Sequence, residues 1–81
     1  MYEFVVHAEA VDQIVALPDD ALDGYADAMT VLQLVPWNGP PINKANPSGA
    51  VRVLAAKQGL VTYLVLEEQQ RVDVLRVLWL G

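Results

Sequence analysis

The chain has 81 residues, 54% of them hydrophobic, with a net charge of −5 and no cysteine. That length allows one domain with a thin core, expected to span residues 1–81. The missing thiols exclude a disulfide scaffold, a cysteine nucleophile and a cysteine zinc site, and a reducing cytoplasm is the natural compartment.

Tyr2 to His7 alternates, with Tyr2, Phe4 and Val6 on one side, and predicts a first strand near 2–7 with no signal peptide ahead of it. A helix is expected near 8–17, where Ala10, Val11, Ile14, Val15 and Leu17 recur at helical spacing. Pro18 ends it. Pro18-Asp19-Asp20 then offers a capping aspartate and first-turn acids for a second helix near 19–35, whose apolar face is read as Leu22, Tyr25, Met29 and Leu32. Asp19, Asp23 and Asp27 read as solvated surface.

Three prolines and a glycine between Pro36 and Pro41 end this helix, and the chain continues as loop to about Ser48. Loops of that length are often functional. Trp37 is expected to cover the end of the core.

From Gly49 the chain is a succession of β-branched, apolar runs near 50–57, 60–67 and 71–79. They are separated by Lys57-Gln58-Gly59 and by Glu67 to Gln70, breaks too short for a parallel crossover, so the three form an antiparallel meander. Both faces of this meander are largely apolar, and the helices can cover only one. No apolar run reaches the roughly 18 residues that span a bilayer.

The order is β-α-α-β-β-β. It predicts an α+β fold, a four-stranded, mainly antiparallel sheet with a helical hairpin on one face. Charge divides along the same line. Residues 1–43 hold seven acids and no lysine or arginine, while residues 44–81 hold five bases and three acids.

In this order, and in a loose set of positions, the chain resembles the RelE/ParE superfamily of toxins from type II toxin–antitoxin systems. The positions are Pro36 and Gly39 after the second helix, Gly49 three residues before Arg52, Tyr63 in the next strand, and Val72, Val74, Leu75 and Val77 in the last. The resemblance implies a toxin-like component neutralised by an antitoxin protein bound across the sheet. Two alternatives accompany it: a ribosome-dependent mRNA endoribonuclease, and a non-catalytic protein-binding module on the same fold.

Cleavage of RNA through its 2′-hydroxyl needs a proton acceptor, a proton donor and cations for the phosphorane. Arg52 matches the family's strand arginine and is the candidate catalytic cation, with Lys44, Lys57 and Arg76 as candidate RNA-binding residues. His7, Tyr63, Glu67 and Glu68 are the candidates for proton transfer. The bland reading of Arg52 is a solvent-facing side chain or one paired with Glu67 or Asp73. The family's second arginine falls here near Gly59 and Leu60, and Trp79-Leu80 stands where the family often has basic residues, so weak or absent cleavage is expected. Leu78, Trp79 and Leu80 are the candidate partner interface. No metal or cofactor is expected. A second copy of the chain is an alternative occupant of the uncovered face, and RNA or the ribosome an alternative partner.

Overall fold

A computed structural model describes residues 2–46 and 48–80. β1 (Glu3–Val6) leads into α1 (Ala8–Val15) and α2 (Asp19–Leu34). A single 3-10 turn, Pro36–Asn38, opens the long loop, and β2 (Val51–Ala56), β3 (Gly59–Leu66) and β4 (Arg71–Trp79) follow. The sheet order is β1-β4-β3-β2. β1 lies parallel to β4, and the other two pairings are antiparallel. The expected α+β architecture is therefore present, with element ends within about two residues of those read from the sequence.

The core lies between the helices and one face of the sheet. Val61, Tyr63 and Val65 of β3 and Val72, Val74 and Val77 of β4 are buried there. Phe4 and Val6 from β1 and Leu54 and Ala56 from β2 extend it. Ala10, Ala28 and Leu32 supply the buried helix contacts. Small residues dominate the contact side of α2, where Ala21, Gly24 and Ala28 are buried. A Cβ on Gly24 would stand 2.8 Å from the Cβ of Lys57, so glycine there allows close approach to the β2–β3 turn.

The apolar faces of the helices sit a little off their expected positions. Leu22 is 37% exposed, and Val15, at the end of α1, is 80% exposed. The close approach of α2 through alanine and glycine leaves Leu22 at the flank, while Leu32 is fully buried and Tyr25 and Met29 are half-buried against the core. Nor does an aspartate cap α2. Pro18 occupies the cap position without a side-chain bond, and Asp19 and Asp20 lie in the first turn, where their charge suits the helix dipole.

The register of β3 against β4 shifts between Thr62, opposite Arg76, and Tyr63, opposite Val74. Leu75 is the extra residue of this bulge. β1 ends opposite Val74, so the next part of β4 has no strand on that side. α1 supplies the partner instead, since the Val77 N–H donates to Gln13 Oε1 at 2.6 Å. Both hairpin turns put a glutamine in the left-handed region, Gln58 at φ 59° and Gln70 at φ 50°.

Candidate functional site

The face of the sheet away from the helices has no covering element among the described residues. Alternation along the strands places Val51 and Val53 of β2, Leu60, Leu64 and Leu66 of β3, and Leu78 of β4 on it. Leu78 is 45% exposed, and the others are half-buried within the strip. Near its middle is an open depression of about 330 Å³ lined by Glu9, Ile42, Val51, Thr62, Leu75 and Arg76. The bulge residue Leu75 is part of its lining, as are Glu9 and Arg76, whose exposed ion pair is 3.6 Å long.

Arg52 does not face solvent, and among the described residues its hydrogen bonds run to loop carbonyls and not to Glu67 or Asp73. It is 8% exposed and lies on the helix-side face opposite Tyr63. Its Nε donates to the carbonyl of Gly39 at 2.6 Å and its Nη1 to that of Gly49 at 2.9 Å. Its guanidinium carbon stands 5.1 Å from the centre of the Trp37 ring. Tyr63 belongs to the same cluster. Its buried hydroxyl donates to the carbonyl of Pro36 at 2.6 Å and accepts the N–H of Gly39 at 3.2 Å. Burial pushes the phenol pKa up, against the lowering effect of the Gly39 N–H and of Arg52. Arg52 and Tyr63 thus hold both ends of the 36–49 loop against β2 and β3. Backbone groups buried without partners are costly, and these two side chains satisfy those of an irregular segment.

Trp37 donates through Nε1 to Glu67 at 3.2 Å, and Tyr2 donates its hydroxyl to the same carboxylate. These bonds hold the Glu67 carboxyl below the usual range, with the Tyr2 hydroxyl the largest contributor. Glu67 therefore joins the N-terminal residues, the loop and the β3–β4 turn. Glu68 is exposed in that turn.

The proposed cations do not converge. Arg52 faces the helices, Arg76 lies on the open face, and the exposed Lys57 sits in the β2–β3 turn beside Gly24 of α2. Lys44 is exposed in the long loop. The predicted interface residues are also divided. Leu78 and Leu80 are exposed, whereas Trp79 shares the face of Val77 and lies half-buried by a crevice that Leu17, Ala21 and Tyr25 also line.

A different cluster does converge. Asp73 is 6% exposed, with Val5 and Leu64 as its strand neighbours. Arg71 Nε donates to its Oδ1 at 2.7 Å and Arg71 Nη2 to its Oδ2 at 3.3 Å. His7 Nε2 meets Oδ2 at 3.1 Å. Burial alone would raise the Asp73 pKa, but the Arg71 and His7 hydrogen bonds outweigh it and hold the carboxyl below its ordinary 3.8. His7 is one of the proton-transfer candidates in the sequence, but its partner Asp73 is not legible there, because 66 residues separate them and only the parallel pairing of β1 with β4 joins them. Among the described residues no three histidine, aspartate or glutamate side chains gather as a metal site.

No protein-family model matches the chain, and no curated protein does. Solved structures do. Over its full length the chain is similar to 99% of a chain in the intact E. coli RelBE toxin–antitoxin complex, with a TM-score of 0.77 and 15% identity. It is also similar to a chain of the archaeal RelE–RelB complex from Pyrococcus horikoshii OT3, with a TM-score of 0.68, 16% identity, and coverage of 99% of this chain and 96% of that one. The chain has the fold found in these toxin–antitoxin complexes.

Proposed function

We propose that the chain is the toxin-like component of a type II toxin–antitoxin pair, neutralised by an antitoxin laid across the helix-free face of the sheet. The observation that carries this reading is the aliphatic strip on that face. A contiguous apolar surface of this kind marks an interaction site, and burying one such side chain is worth roughly 1.5–3 kcal/mol. The fold shared with chains of the RelBE and RelE–RelB complexes supports the same partnership. The cytoplasm is the proposed compartment. No helix among the described residues is long and apolar enough to cross a membrane.

The scattered lysines and arginines favour action by protein contact over a broad cationic groove for RNA. Arg52 in this reading is a positioning residue for the loop, and Arg76, Leu78 and Leu80 belong to the partner surface. A homodimer through the same face would exclude the antitoxin. The test is expression of the chain alone and with the product of the adjacent reading frame. Growth arrest relieved by co-expression is expected, with relief lost for Leu78→Glu. A chain that has no effect on growth and binds no such product would contradict the reading.

A further inference from the structure

We infer that residues 36–42 form a strap that blocks the free edge of β2 and is latched to Glu67. When the latch opens, a second copy of this chain pairs along that edge.

β2 is the last strand of the sheet, so one of its sides has no strand. The Ala50 carbonyl accepts the Val65 N–H from β3, and by alternation Val51, Val53 and Ala55 turn their backbone groups the other way. The strap meets two of them. The Ile42 N–H donates to the Val51 carbonyl at 3.0 Å, and the Val53 N–H donates to the Pro40 carbonyl at 3.0 Å. Pro41 stands opposite Arg52 as an isolated bridge. Pro40 and Pro41 have no N–H, so the strap cannot hand the pairing on to a further strand. Without it, the edge of Val-Arg-Val-Leu-Ala-Ala is bare, and bare apolar edges pair with other chains.

The strap is held mainly by polar contacts. Pro36 and Gly39 are buried, whereas Trp37, Asn38, Pro40 and Ile42 are exposed. Its inner anchors are the buried Tyr63 and Arg52, and its outer one is the exposed carboxylate of Glu67. Glu67 Oε1 accepts the Trp37 Nε1–H, and the Trp37 ring lies against the guanidinium whose Nε holds the Gly39 carbonyl. Glu67 is itself fixed by the Tyr2 hydroxyl and by Gln70 Nε2, the latter at 3.0 Å. Gly39 sets a second condition. A Cβ there would stand 2.7 Å from the Val53 carbonyl oxygen and 2.5 Å from the Tyr63 hydroxyl, so the strap seats against β2 only with glycine at this position.

The edge is self-complementary. Antiparallel pairing about a two-fold axis at Val53 sets Val51 of one copy opposite Ala55 of the other, and Arg52 opposite Leu54, so no like charges meet. The aliphatic strips of the two copies then join through Val51 and Val53. The closed strap keeps the edge single and leaves the helix-free face open. Its end residue, Ile42, lines the depression on that face.

The experiment uses the full chain with Leu78→Glu as background, which weakens association through the helix-free face. Amide exchange is read by NMR and association by sedimentation velocity, and the fold of every variant is checked by circular dichroism. The background chain is expected to be monomeric, with slow exchange at Ile42 and Val53. Glu67→Ala and Gly39→Ala should each speed both amides roughly tenfold or more, leave the Val61 amide of β3 unchanged, and produce a dimer. Adding Val53→Pro to either should restore the monomer, because a proline on the edge has no N–H to pair. If Gly39→Ala fails to fold, Glu67→Ala, at an exposed position, carries the test. Unchanged exchange at Ile42 and Val53 would overturn the latch. Faster exchange without a dimer, or a dimer that survives Val53→Pro, would overturn the second copy as the occupant of the edge.

Discussion

Two buried charges, Arg52 and Asp73, lie on opposite faces of the sheet. Arg52 and Tyr63 fasten the 36–49 loop from the helix side. Tyr63→Phe leaves the Gly39 N–H without its acceptor and the Pro36 carbonyl without its donor. We expect it to lower the unfolding free energy by about 1–3 kcal/mol, measured by urea titration. Arg52→Ala should loosen the same loop and make it a site of early proteolysis, because the carbonyls of Gly39 and Gly49 lose charged donors. Asp73 predicts an acid dependence. Its pKa is lower in the folded chain than in the unfolded one, so its contribution is complete above the ordinary carboxylate value. It is lost as pH falls through the depressed folded value. Urea midpoints followed from pH 6 downward should fall less steeply for Asp73→Asn than for the wild type. Equal slopes would remove Asp73 from the account.

At the scale of elements, the hairpin turns contradict the simplest use of glycine. Gly59 marks the first turn in the sequence, yet the positive φ falls on Gln58. Gly59 has another reason to be glycine: a Cβ there would stand 2.5 Å from the carbonyl oxygen of Leu78 on β4. Gln58→Gly should therefore stabilise the chain by up to about 1 kcal/mol, by relieving a left-handed side chain. Gly59→Ala should destabilise it, and thermal unfolding of the two variants would show opposite shifts. The element order was legible in the sequence, because the apolar period changes from two to 3.6 and back, and because the breaks in the meander are too short for crossovers. The pairing of β1 with β4 was not, since nothing local encodes a contact across the whole chain. The bulge was hidden too. Val72 to Trp79 is apolar on both faces, so alternation could not reveal that Leu75 is the extra residue.

Across the whole molecule most acids lie away from the apolar strip, with Glu9 and Asp73 reaching its face. Seven acids and no lysine or arginine lie in residues 1–43, which include both helices, and the uncovered face belongs mainly to the meander. The two apolar faces of the last three strands already implied that one face would lack cover. Alternation alone sets Leu78 and Trp79 on opposite faces, but which of them faces the helices needed the structure, because the bulge at Leu75 shifts the register. Trp79→Ala is accordingly expected to lower stability without changing association, and Leu78→Glu to do the reverse, as read by sedimentation and thermal unfolding of the same samples.

The central claim is that a partner occupies the helix-free face, and calorimetric titration with the product of the adjacent reading frame tests it most directly. The account predicts binding by the wild type and equal binding by Asp23→Asn on the exposed side of α2. It predicts at least tenfold weaker binding by Leu78→Glu, the loss expected when one buried leucine worth roughly 1.5–3 kcal/mol is replaced by a charge. Undiminished affinity for Leu78→Glu, or loss of binding on the helix side alone, would contradict it.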